Sequence, residues 1–171
     1  MLYQPTGDNV ITFTSTATLT GGDGGDGTAR AGDGASGLVL RDGTGNNTLN
    51  LDNTITGGSS AVFWAPPVVG SGGHGIAVIN MVGNTALNIT GYVKGGTGGN
   101  GTGAGERHHG WRPCRHTDRR AQVIGGTNGF GGQAAAIAFT GGTNALTLDA
   151  TSGGAPVISG GITHAGGRSS P

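Results

Sequence analysis

Gly45-Asn46-Asn47-Thr48-Leu49-Asn50-Leu51 returns as Gly83-Asn84-Thr85-Ala86-Leu87-Asn88-Ile89 and, more loosely, as Gly142-Thr143-Asn144-Ala145-Leu146-Thr147-Leu148. Each copy opens on glycine, alternates apolar with polar residues, and leads to a glycine pair: Gly57-Gly58, Gly95-Gly96 and Gly160-Gly161. Alternation is the period of a strand with one buried face. A strand that recurs with its turns is a unit that cannot bury its own apolar face and must stack on the next copy. Leu49 and Leu87 are 38 residues apart, but Leu87 and Leu146 are 59 apart, so the segments between strands vary in length. The expected fold is therefore all-β, a parallel β-helix (β-solenoid) with glycine-rich loops.

The rest of the chain agrees with strands rather than helices. In Val10 to Thr20, Ile11, Phe13, Ala17 and Leu19 occupy odd positions, while Thr12, Thr14, Thr16 and Thr18 occupy even ones. This predicts a half-buried strand with threonines facing water. There is one lysine, Lys94, and one glutamate, Glu106, and no stretch sustains a 3.6-residue period. Forty of the 171 residues are glycine, a level that alone suggests low complexity. A formal net charge of zero and clustered Val, Ile, Leu and Thr argue instead for a packed chain.

Glycine clusters at 21–37, 70–75, 95–105 and 125–132 punctuate the strands, and tight turns with positive φ are the reason expected for them. Asn and Thr beside the turns are expected to hydrogen-bond from rung to rung. The organisation read from this pattern is an N-terminal segment at 1–8, repeats at 9–105, an anomalous basic stretch at 106–120, and further repeats at 121–171. The anomalous stretch, Glu106 to Arg120, holds five of the nine basic residues, three of five histidines and the single cysteine, Cys114. Three readings of it stand side by side. His108, His109, Cys114 and His116 could donate to zinc, although their spacing fits no familiar pattern and the arginines oppose a cation. It could be a basic surface loop. The favoured reading is a compensated frameshift, because Gly, Thr and Ala codons read out of frame yield His, Arg, Pro, Trp and Cys.

Composition excludes several classes. No basic face points to nucleic acid, and no apolar run is long enough to cross a bilayer as a helix. One cysteine excludes an intrachain disulfide framework. Gly21 to Ala29 fits a calcium nonapeptide except that Thr28 stands at the large apolar position, which makes Asp23, Asp26 and Asp33 weak calcium candidates. No second nonapeptide follows in register, and no cofactor is expected. Gly73-His74-Gly75 resembles a short motif of β-helical polygalacturonases, but paired carboxylates for sugar hydrolysis cannot be identified. No catalytic residue is assigned and no enzymatic activity is expected. Phe63-Trp64-Ala65-Pro66-Pro67 is the one aromatic turn. It is either a loop folded over an edge or a contact for a partner through Phe63 and Trp64.

The stretches Gly45 to Gly58 and Leu19 to Gly25 resemble the passenger regions of bacterial autotransporters (type V secretion) in repeat style. The resemblance covers most of 9–105 and 121–165. It implies a right-handed parallel β-helix displayed at the surface of a Gram-negative cell, often in adhesion. It also implies a ligand on a host or neighbouring-cell surface. The export signal and the terminal barrel of that family are not found in this sequence, so a fragment of a longer passenger is expected. Such a fragment should self-associate through its solenoid ends. The alternatives are a calcium-binding glycine-rich repeat module and a β-helical enzyme acting on polysaccharide.

Overall fold

The computed structural model describes residues 1–14, 16–25, 31–61, 70–99, 121–127, 133–149 and 155–165. In the first rung, β1 (Leu2–Tyr3), β2 (Asn9–Phe13) and β3 (Thr18–Thr20) follow one another around the core. The second rung repeats this with β4 (Leu38–Arg41), β5 (Asn47–Leu51) and β6 (Thr54–Thr56), and the third with β7 (Ile76–Ile79), β8 (Asn84–Ile89) and β9 (Tyr92–Lys94). Later come β10 (Gln122–Ile124), the short pair β11 (Gly126–Thr127) and β12 (Gln133–Ala134), β13 (Ile137–Thr140), β14 (Thr143–Leu148), β15 (Val157–Ser159) and β16 (Ile162–Ala165).

Apart from β11 and β12, which pair antiparallel with each other, these strands stack into three parallel sheets, a solenoid-like arrangement. Sheet A runs β1-β4-β7-β13-β16, sheet B runs β2-β5-β8-β14, and sheet C runs β3-β6-β9-β10-β15. The repeated phrase forms sheet B in strict register, with Leu49 beside Leu87 and Leu87 beside Leu146. Residues 1–8, read from the sequence as a lead-in, instead supply β1, which pairs with β4.

Alternation decides which side chains point inward. Leu38 and Leu40 from sheet A, Leu49 and Leu51 from sheet B, and Ile55 from sheet C join one core cluster with Ile76, Leu87, Ile89 and Val93. Each such side chain contributes roughly 1.5–3 kcal/mol when fully buried. In β2 the same alternation leaves Thr12 exposed between half-buried Ile11 and Phe13, as the sequence predicts, but the run from Val10 to Thr20 is not one strand: it divides into β2 in sheet B and β3 in sheet C, with Ala17 N–H donating to Thr14 O at 3.0 Å between them. The expected ladders are present. On the outer face of sheet B, Asn88 Nδ2 donates to Asn50 Oδ1 at 2.9 Å, and Asn50 Nδ2 donates to Thr12 Oγ1 at 3.4 Å. On the inner face Asn9 Nδ2 donates to Asn47 Oδ1 at 3.0 Å.

The corner between sheets A and B does need the left-handed backbone. Gly45 and Gly83 stack there with φ of +89° and +116°, beyond Asp42 and Asn80 at +54° and +50°. A side chain at either glycine would be strained and would strike the glycine of the preceding rung.

The 59-residue interval has an unexpected outcome. Sheets A and B pass directly from β7 to β13 and from β8 to β14. Sheet C gains an extra strand, because Val93 pairs with Val123 and Val123 with Ile158. The anomalous stretch 106–120 and its zinc candidates lie outside the described residues. Since sheets A and B close without it, replacing 106–120 by a short Gly/Thr/Asn linker should change unfolding free energy by less than about 0.5 kcal/mol. Denaturant titration checks this. A loss above about 2 kcal/mol, or stoichiometric zinc retained after dialysis, would overturn the frameshift reading.

Candidate functional site

Between sheet C and sheet A the chain leaves the core on glycine-rich arms. Outgoing arms run over 21–25, 57–61 and 95–99, and returning arms over 31–37 and 70–75. None of the arm glycines has a positive φ. The turn explanation expected from the sequence therefore fails for them. Most of them serve close contact instead: a Cβ on Gly21, Gly58, Gly73 or Gly96 would fall on a carbonyl oxygen of an adjacent arm, whereas one on Gly22 or Gly25 would meet nothing within 4 Å.

The hydrogen bonds between arms repeat every three residues. Gly21 and Gly24 donate to Thr56 O and Ser59 O at 2.9 and 2.8 Å, and Gly57 and Ser60 donate to Lys94 O and Thr97 O at 2.9 and 2.8 Å. In the returning arms Gly34 and Gly37 donate to Ser71 O and His74 O. Crossing between the two sets, Gly58 donates to Ala35 O, Gly73 to Gly58 O and Gly96 to Gly73 O, at 2.7 to 2.9 Å. Three residues per turn, with backbone bonds between segments rather than within them, is the habit of polyproline II. The arms form a brace of such segments beside the sheets. Where the arms cross most closely, at Gly21, Gly58, Gly73 and Gly96, there is no room for a side chain.

This brace places the calcium candidates. Asp23 lies on an outgoing arm and Asp33 on a returning one, and both are exposed. Asp23 Oδ1 accepts the Ser59 backbone N–H at 2.7 Å, and Asp33 Oδ1 accepts that of Ser71 at 2.7 Å. One N–H in three faces outward from an arm, and these carboxylates satisfy it from the preceding rung. Among the described residues no three His, Cys, Asp or Glu side chains converge as a metal group. Asp26, Phe63 and Trp64 lie outside the described residues.

His74, on a returning arm, is half-buried, and its Nδ1 lies 3.2 Å from Ala135 O. That contact ties the arm to the segment entering β13. Lys94 ends β9, and burial pushes its ammonium below the ordinary lysine range. Sequence reasoning found the aspartates but missed their partners. The only available signal was the Gly-Asp-Gly spacing, and backbone donors on another rung leave no mark on it.

A substitution separates the two roles of Asp23. Asp23→Asn keeps an acceptor and should leave stability unchanged within about 0.5 kcal/mol. Asp23→Ala leaves the Ser59 N–H without its acceptor and should cost about 0.5–1.5 kcal/mol. Thermal unfolding with and without calcium checks both. A midpoint that rises with calcium in the parent but not in Asp23→Asn would select the calcium reading instead.

The chain matches no protein-family model, no curated protein and no solved structure.

Proposed function

We propose that this chain is a non-enzymatic display element, a passenger fragment of autotransporter type that holds peptide segments out from a stiff column at a cell surface. The observation that supports it most is the shared corner of the glycine arms. The first three arm-bearing excursions leave sheet C at the same place, and the brace holds their stems together by backbone bonds. The sequence between the arms 57–61 and 70–75 includes Phe63 and Trp64, the proposed contacts for a ligand on another cell. Large aromatic side chains suit such contacts because they dominate binding energy where they are desolvated.

Fusion of the chain to an outer-membrane anchor tests the proposal. Displayed cells should adhere to a host-cell layer above the level of anchor alone, and Phe63→Ala with Trp64→Ala should remove most of the gain. Adhesion equal to the anchor control, or turnover of a polysaccharide substrate by the purified chain, would sink it.

The proposal includes self-association. Among the described residues the terminal strands each pair on one side only, and unpaired edges recruit other chains. Sedimentation over a concentration series should show mass rising with concentration, whereas a monomer throughout would refute this part.

A further inference from the structure

The outward faces of the sheets differ in what they carry. In sheet A, Tyr3, Arg41, Ile79 and Thr140 follow one another up one outer column. In sheet C, the threonines of β3 and β6 give way to Tyr92 and Lys94. Sheet B has neither a charge nor a ring in its two central columns. Thr12, Asn50, Asn88 and Thr147 form one of them, and the column beside it, from Val10 to Ala145, holds Thr48 and Ala86. All of these side chains are exposed or half-buried.

The polar side chains of this face hold one another in place. Asn88 Nδ2 donates to Asn50 Oδ1 and Asn50 Nδ2 to Thr12 Oγ1, and at the strand entrance Asn84 Nδ2 donates to Asn46 Oδ1 at 2.9 Å. An amide side chain carries two N–H donors and two acceptor lone pairs. Asn50 uses one of each within the ladder and keeps a second donor and acceptor for water. Neighbouring strands lie about 4.7–4.9 Å apart, and alternate residues along a strand about 6.6 Å apart. The free groups therefore recur on a two-dimensional grid whose rung spacing is close to that of oxygen rows in hexagonal ice. Water held on such a grid is ordered as at a crystal surface, whereas a lysine or carboxylate within it would draw water into its own shell.

We infer that the outer face of sheet B binds ice. The Asn and Thr ladder holds lattice waters at the repeat of the rungs, and the methyl groups of Thr48 and Ala86 between them gain by leaving liquid water. The face does not suit other occupants. Four strands of about five residues cover roughly 300 Å², well below the roughly 800 Å² per partner of a stable protein interface. No cation in the columns matches a phosphate or an acidic glycan, and no ring offers a neutral sugar a surface to lie on. A crystal of ice engages every position of the face at once, so individually weak contacts act together. This activity is separate from adhesion through Phe63 and Trp64.

The test freezes a buffered solution of the full chain in a nanolitre osmometer. Freezing should lag melting by a gap that widens with protein concentration, and the crystals should grow as facets rather than discs. Thr48→Tyr, at an outward position of β5, should remove most of the gap, and so should Ala86→Tyr on β8. Thr54→Tyr puts the same ring on the outer face of sheet C, beside the native Tyr92, and should leave the gap unchanged. As a measure that needs no variant, fluorescently labelled parent should be taken up by a growing ice surface that excludes a control protein of the same size. Round crystals without a gap, exclusion of the parent from ice, or equal losses from Thr48→Tyr and Thr54→Tyr would each overturn the inference. Ice shaping that is lost only in the sheet B variants supports it, even if displayed cells fail to adhere, an outcome that sinks the adhesive reading alone.

Discussion

Gly58→Ala should destabilise the protein by about 1–3 kcal/mol or more, while Gly22→Ala should fall within about 0.5 kcal/mol of the parent. The two glycines lie on successive outgoing arms and neither has a positive φ. A Cβ on Gly58 would meet the Gly22 carbonyl oxygen, and Gly21 O 2.8 Å away, both of them backbone atoms that cannot rotate aside. A Cβ on Gly22 meets nothing within 4 Å. The arms could accept Gly58→Ala only by separating, which would stretch the bonds from Gly58 to Ala35 O and from Gly73 to Gly58 O. If the arms were flexible linkers, the two substitutions would be alike, and both would stabilise slightly by reducing unfolded-chain entropy. Equal effects in denaturant titration would therefore dismiss the brace.

Leu87→Ala is the second large effect, expected at about 2–5 kcal/mol. Leu87 is fully buried, with Leu49 and Leu146 on either side of it in sheet B, and it packs in the cluster shared by all three sheets. Rungs above and below hold the cavity open, so little collapse can offset the loss. Leu146→Ala removes the same atoms one rung higher, where the side chain is half-buried. Its cost should be smaller, about 1–2 kcal/mol. A ratio near one between the two would mean that Leu146 is covered as fully as Leu87.

The strands and their register were legible because alternation is a local property. Leu49, Asn50 and Leu51 declare an inward, outward, inward strand without reference to any neighbour. Two copies 38 residues apart then declare which residues lie side by side, and the bond between Asn50 and Asn88 follows from that spacing. The candidate sites were less legible. Asp23 resembled a calcium donor because Gly-Asp-Gly is common to metal loops and to these arms. Its carboxylate accepts a backbone N–H from Ser59, a donor 36 residues away.

By itself, the sequence determined an all-β chain, the inward face of the alternating strands, the parallel register and the polar ladders on sheet B. Each depends on a repeat that brings like residue beside like. The tertiary structure alone decided the purpose of the arm glycines. A glycine in sequence signals only a missing Cβ, which serves a left-handed turn at Gly45 and close backbone contact at Gly58 equally well. Only the arrangement of arms in space tells them apart. It also decided that the long interval after β9 adds a strand to sheet C and none to sheet B. Spacing counts residues along the chain, but the sheet in which a strand lands is set by which open edge it meets.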